Sequence, residues 1–170
     1  RAIAGGLGTL ALGAIACMLY FFIRDQNWKT PEELLVQYMN YICEQNYEAM
    51  YSMLDAEDPF YPEKEQYIKR NANIYEGIEI ENLNVSNIVS KEQEEKKITV
   101  SYTAAFDTAA GNVHFDNQAV FVKKKDGYQL RWRDSLIFPD LLESDKVQVR
   151  ASQAERGKIL DRNGKALAGT

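Results

Sequence analysis

Residues 97–107 read Lys97-Ile98-Thr99-Val100-Ser101-Tyr102-Thr103-Ala104-Ala105-Phe106-Asp107. Ile98, Val100, Tyr102, Ala104 and Phe106 alternate with Lys97, Thr99, Ser101, Thr103 and Asp107. This period of two is that of a β-strand with one face on a core and the other in a polar setting. Working outward, residues 109–112 turn the chain and a second strand runs over 113–123. Asp126-Gly127 then sits between two alternating runs, a hairpin signal. The returning strand places Tyr128, Leu130 and Trp132 on one face and Gln129, Arg131 and Arg133 on the other. Upstream, Ile78, Ile80, Val85, Ile88 and Val89 form another strand with an irregularity between Ile80 and Leu83, and the charge run over 91–97 reads as a solvated turn. Beyond residue 139, Val147, Val149 and Ala151 alternate as an exit strand.

Before Gly77 the period is helical. Thr30-Pro31-Glu32-Glu33 supplies an N-cap threonine, proline at the first helical position and glutamate at the third, and Leu34, Leu35, Tyr38, Tyr41 and Ile42 share a face. A short second helix carries Tyr47, Met50, Tyr51 and Leu54. A loop with two prolines, Pro59 and Pro62, precedes a third helix from Glu63 to about Tyr75. Three helices followed by a curved, mostly antiparallel sheet make an α+β domain in which the helices cover the apolar face of the sheet.

Residues 2–23 carry no charge, amide or histidine. As a helix they extend about 33 Å, enough to cross a bilayer. We read residues 1–24 as a transmembrane anchor, with Cys17 a packed membrane residue, because Ala14 stands where a lipoprotein signal carries leucine. Arg1 before the span, and Arg24 and Lys29 after it, orient it only weakly. The 170 residues suit one small domain plus extensions. A net charge of −5, from 20 Lys+Arg against 25 Asp+Glu, argues against nucleic acid as a partner. With one histidine, two cysteines and no Cys-x-x-Cys, neither a metal site nor a cofactor is expected. Cys43 is expected to be a small buried residue on its helix.

The closing segment carries Arg156-Gly157, Ile159, Asp161-Arg162-Asn163-Gly164 and Leu167-Ala168. It resembles the entry to the pedestal, or dimerisation, domain of class B penicillin-binding proteins. The anchor, the helices from Pro31, and Trp132, Ser135, Ile137-Phe138-Pro139 and Leu141 resemble the N-terminal extension of the methicillin-resistance type of these transpeptidases. The resemblance implies a nuclear transport factor 2-like cone over 25–141 and a truncated pedestal over 142–170. In that pedestal Arg156, Gly157, Asp161, Arg162, Asn163 and Gly164 form a structural motif, in which Asp161-Arg162-Asn163-Gly164 make a tight turn at its first strand.

The same resemblance implies a single-pass cell-membrane protein of a bacterium, Gram-positive, with its C-terminal part on the extracytoplasmic side. It further implies a parent serine-type D,D-transpeptidase acting on peptidoglycan stem peptides, attacked by β-lactams, with cell-wall synthesis or division proteins as partners. The junction of cone and pedestal is implied as a binding site for cell-wall fragments. This chain has no Ser-x-x-Lys, Ser-x-Asn or Lys-Thr-Gly, since Lys29-Thr30 is followed by Pro31. No catalytic residue is therefore transferred, and the chain reads as a non-catalytic anchor and spacer.

Two other readings rest on the residues. As an enzyme, a cone would place an acid–base residue in its apolar cavity, and His114, Asp107 and Asp116 are the candidates. Asp107, however, shares the polar parity of Thr99 and Ser101. As a tethered binding module for a peptide or glycan, the chain would use Arg131 and Arg133 to clamp a carboxylate, or its tyrosine-rich helices as a platform, although their spacing is that of core packing.

Overall fold

Thr30 starts the first helix as its side chain dictates. Its hydroxyl accepts from the Glu33 N–H at 3.3 Å, and the Glu33 carboxylate accepts from the Thr30 N–H at 2.9 Å, a capping box with Pro31 just inside. The computed structural model describes residues 28–94, 96–150, 159–160, 162–163 and 166–168. Helix α1 (Pro31–Cys43) buries Leu35, Tyr38, Met39 and Ile42. Cys43, expected inside, is exposed: it follows Ile42 and so lies about 100° round the helix from it. Asn46 caps α2 (Tyr47–Ser52) by accepting from the Ala49 N–H at 3.1 Å, and α3 spans Lys64–Tyr75.

The chain leaves α3 through Gly77, where a Cβ would stand 2.4 Å from the Asn73 carbonyl oxygen. Ile78 and Ile80 belong to this exit rather than to a strand. Their N–H groups donate to the carbonyls of Ile74 and Tyr75 at 3.0 and 3.1 Å, which closes the last turn of the helix. The sheet then has the order β1 (Glu81–Glu94), β2 (Lys97–Thr108), β3 (Gly111–Lys124) and β4 (Gly127–Leu130), each pair antiparallel.

The irregularity expected near residues 80–83 is a bulge between Glu81 and Asn84, and a second lies between Ser86 and Val89. Asn82 and Asn87, both at φ 53°, occupy them because asparagine tolerates the left-handed region. Their amides donate to the Asp107 carboxylate at 2.7 Å and the Thr103 hydroxyl at 3.2 Å. The charged run expected as a turn is instead mostly strand: Lys91 pairs with Thr99 and Glu92 with Ile98. Charges on this edge strand cost little and discourage edge-to-edge association.

β2 and β3 pair without interruption from Lys97↔Val122 to Thr108↔Gly111. Val100, Tyr102, Ala104 and Phe106 face the helices with Ala119 and Phe121 and are buried, as the alternation predicts. β4 ends at Leu130, two residues short of the expected strand, because the edge of β4 is taken by the loop after α2. The Asp55 N–H donates to the Leu130 carbonyl at 2.8 Å, and the Leu130 N–H to the Met53 carbonyl at 2.9 Å. Trp132 nevertheless enters the core, edge-on to Tyr67 with centroids 4.7 Å apart. The α+β architecture is thus three helices on a four-stranded antiparallel sheet.

A 3-10 turn, Asp134–Leu136, leads to the exit segment. Arg70 on α3 fastens this segment, pairing with Asp134 and donating to the Leu142 carbonyl at 2.9 Å. Residues 147–150 form no strand, so the expected exit strand is absent over its described part. A small antiparallel pair, β5 (Ile159–Leu160) with β6 (Ala166–Ala168), flanks an exposed turn at Arg162 and Asn163. Arg156, Gly157, Asp161, Gly164 and the anchor over 1–24 lie outside the described residues. No helix among the described residues is long and apolar enough to cross a membrane.

Candidate functional site

The helices and the sheet enclose a packed apolar core. Among the described residues, the void bounded by Met39, Ile42, Tyr75, Tyr102, Phe106 and Phe115 measures about 10 Å³, room for at most one water. Phe106, Phe115 and Phe138 close one side with centroids 5.5–6.0 Å apart. The ionisable groups on this void are Tyr75 and Tyr102. Burial pushes both phenols above their ordinary value, so they stay neutral and are poor bases near pH 7. Tyr38 and Tyr67 join hydroxyl to hydroxyl at 2.9 Å, and burial raises both as well.

The enzyme candidates fall on the other side of the sheet. Asp107 accepts from Asn82 at 2.7 Å and also from Asn112. Asp116 accepts from the Thr103 hydroxyl at 2.6 Å. His114 is exposed opposite Ala105. None of the three lines the interior void.

Arg131 and Arg133 come together around buried carboxylates that the sequence did not single out. The Arg131 N–H donates to the Val120 carbonyl of β3 at 2.8 Å, which sets Arg131 opposite Val120 and so puts its side chain on that residue's side, the outer face of the sheet. There the Arg131 Nε lies 3.1 Å from Asp58 and 3.7 Å from Asp55, and Arg133 Nη1 lies 3.1 Å from Asp58. The Arg133 guanidinium stacks 4.2 Å from the Phe60 centroid. Lys124 completes the network at 2.7 Å from both Asp55 and Glu57.

Burial pushes the Asp58 carboxyl up. The Phe60 N–H at 2.8 Å and the two arginines outweigh that and hold it below the ordinary value. Hydrogen bonds to Asp55 and Glu57 push Lys124 above its own. Both arginines therefore have internal partners, and their first role is to pin the 55–60 loop to the sheet. Asp55 and Asp58 sit three apart in a loop and Arg131 and Arg133 two apart after a strand, and no local spacing announces that pairing.

The same two arginines line a cleft of about 820 Å³ on the outer face, together with Asn87, Ser101, Thr103, Asp116 and Gln118. Polar groups bond within it: Asn87 donates to Thr103, and Thr103 to Asp116. Among the described residues no group of three or more His, Cys, Asp or Glu is placed to hold a metal ion.

The chain is 30% identical over 146 residues to penicillin-binding protein 3 of Bacillus subtilis (strain 168), covering 82% of this chain and 22% of that protein. It thus spans less than a quarter of its relative's length. Looser overlaps are with a SEC-C motif containing protein from Rhodopseudomonas palustris (TM-score 0.47, 16% identity, 61% of this chain and 76% of that one). A similar overlap is with AusH from Aspergillus nidulans (TM-score 0.43, 10% identity, 81% and 93%). Residues 30–145 match the family described as the NTF2-like N-terminal transpeptidase domain, so the chain belongs to that family and is an N-terminal region of a class B penicillin-binding protein.

Proposed function

We propose that this chain is the non-catalytic anchor and spacer of a peptidoglycan D,D-transpeptidase. Residues 1–24 hold it in the cell membrane as a single pass, residues 25–141 form the cone, and residues 142–170 begin the pedestal that carries the catalytic domain. The cone stands on the extracytoplasmic side of a Gram-positive bacterium and sets the height of the active site above the bilayer. Stem peptides meet the enzyme at the catalytic domain, which also determines any resistance to β-lactams. Cell-wall synthesis or division proteins are the expected neighbours.

The observation that carries this reading is the closed cone. A domain of the transpeptidase N-terminal family occupies residues 30–145, and the void bounded by Met39, Tyr75, Tyr102 and Phe115 measures about 10 Å³, too small for a substrate. The Arg70 bonds to Asp134 and the Leu142 carbonyl support a stiff exit toward the pedestal, as a spacer requires. The β5–β6 pair around Arg162 and Asn163 is in keeping with the turn motif expected there.

Labelling with a fluorescent penicillin tests the proposal. The full-length parent in membranes should be acylated and the chain ending at Thr170 should not. A folded full-length parent that resists acylation at saturating β-lactam refutes it.

A further inference from the structure

The outer-face cleft has two charged ends, and each is held in place by a second set of residues. At one end Asp58 forms an ion pair with Nε of Arg131 and accepts a hydrogen bond from Nη1 of Arg133, both at 3.1 Å. A guanidinium has five N–H donors in a fixed fork, so each arginine is oriented by Asp58 while further donors remain for a ligand. The side chains are 28% and 42% exposed, half out of water, where a charged hydrogen bond counts for more than on an open surface.

At the other end Asp116 accepts from Thr103 at 2.6 Å, and Thr103 accepts from Asn87 at 3.2 Å. Asn87 is itself set by the second bulge of β1, at φ 53°. One Asp116 oxygen is thereby held, and among the described residues the other takes no bond, which leaves it for a cation. Between the ends the cleft is lined by Ser101, Gln118 and Val120, a hydroxyl and an amide able to meet peptide groups beside an apolar surface.

The register sets the backbone offset between Arg131 and Asp116. Arg131 lies beside Val120, and Asp116 is four residues back along β3, about 14 Å at the rise of an antiparallel strand. An extended chain of four residues spans about 14 Å. We propose that this cleft binds an extended zwitterionic peptide of about four residues, with its carboxylate on Arg131 and Arg133 and its ammonium group on Asp116. This function goes beyond the spacer role and does not depend on it.

The test uses the full chain in detergent micelles and three probes: tetraalanine with free termini, tetraalanine amide and N-acetyl-tetraalanine, titrated by calorimetry. Free tetraalanine is expected to bind. Amidation and acetylation should each weaken binding about tenfold, the loss of one charge-assisted contact. Asp116→Asn should abolish the discrimination against the acetyl peptide alone, and Arg133→Gln that against the amide alone. Asp116 is exposed, so its variant reports on the cleft even if Arg133→Gln disturbs folding, which a thermal melt reveals. Equal binding of all three probes, no binding of free tetraalanine at millimolar concentration, or sensitivity to the carboxylate alone would overturn the proposal, the last leaving a simple anion site. Penicillin labelling of the parent is indifferent to these outcomes, so the two proposals fail separately.

Discussion

Replacing Asp58 by asparagine removes one charge and almost no volume. The amide oxygen can still accept from the Phe60 N–H, now 2.8 Å from the carboxylate, so the loop keeps its turn. What is lost is the charge that Arg131 and Arg133 share, each 3.1 Å away, while Arg131 keeps Asp55 at 3.7 Å. Breaking a fully buried pair costs about 3–5 kcal/mol, and an exposed pair contributes about 1 kcal/mol or less. Here the carboxylate is 1% exposed but the arginines are 28% and 42% exposed and recover part of their hydration. The expected loss is therefore intermediate, about 2 kcal/mol, which lowers Tm by about 8 °C for a domain of this size.

The pH dependence has a definite sign. The folded state holds Asp58 below its ordinary value, so its contribution is fully present above the unfolded pKa of about 3.9 and is lost as pH falls through the lower folded value. Thermal melts of wild type and Asp58→Asn should differ most near pH 7, and the gap should begin to close only below about pH 4, as pH falls toward the lower folded value. Equal melting at pH 7, or a gap that persists unchanged into acid, would refute the assignment of Asp58 as the charge that pins the loop.

Tyr38→Phe leaves the buried Tyr67 hydroxyl without the partner it has at 2.9 Å and should cost about 1 kcal/mol in a urea melt, with the Tyr38→Phe/Tyr67→Phe pair costing less than the sum of the singles. Gly77→Ala places a Cβ 2.4 Å from the Asn73 carbonyl oxygen; that oxygen is backbone and yields little, so a loss of about 2 kcal/mol is expected, and an unchanged melt would show that α3 ends differently. Cys43 is exposed at the end of α1; with Cys17→Ser, a membrane-impermeant maleimide should label it in intact cells as fully as after lysis, and labelling only after lysis would place the cone in the cytoplasm.

Much of the fold was legible because its signals are local. The capping box at Thr30, the alternation from Ile98 to Phe106 and the Asp126-Gly127 hairpin each depend on neighbours in sequence, and each stands as expected. The errors arise where tertiary partners decide. Ile78 and Ile80 look like strand residues but close the end of α3, whose carbonyls need donors. The charged run after Ser90 reads as a loop but stays in register with β2. β4 stops at Leu130 because residues 53–55 compete for its edge. The polar clusters were the least legible part. Arg131 and Arg133 could be singled out, but Asp55 and Asp58 lie some seventy-five positions away, and nothing local joins them.

The spacer claim separates the cone from the chemistry, and the acylation rate tests that separation most directly. The second-order rate of reaction with a fluorescent penicillin should be measured on the full-length parent and on the same protein lacking residues 30–145, each shown by its melting transition to retain a folded catalytic domain. The account predicts rates within about twofold, because nothing in the cone stabilises the transition state. A fall of about tenfold or more, equal to about 1.4 kcal/mol of lost transition-state stabilisation, would show that the cone takes part in the chemistry and contradict the account.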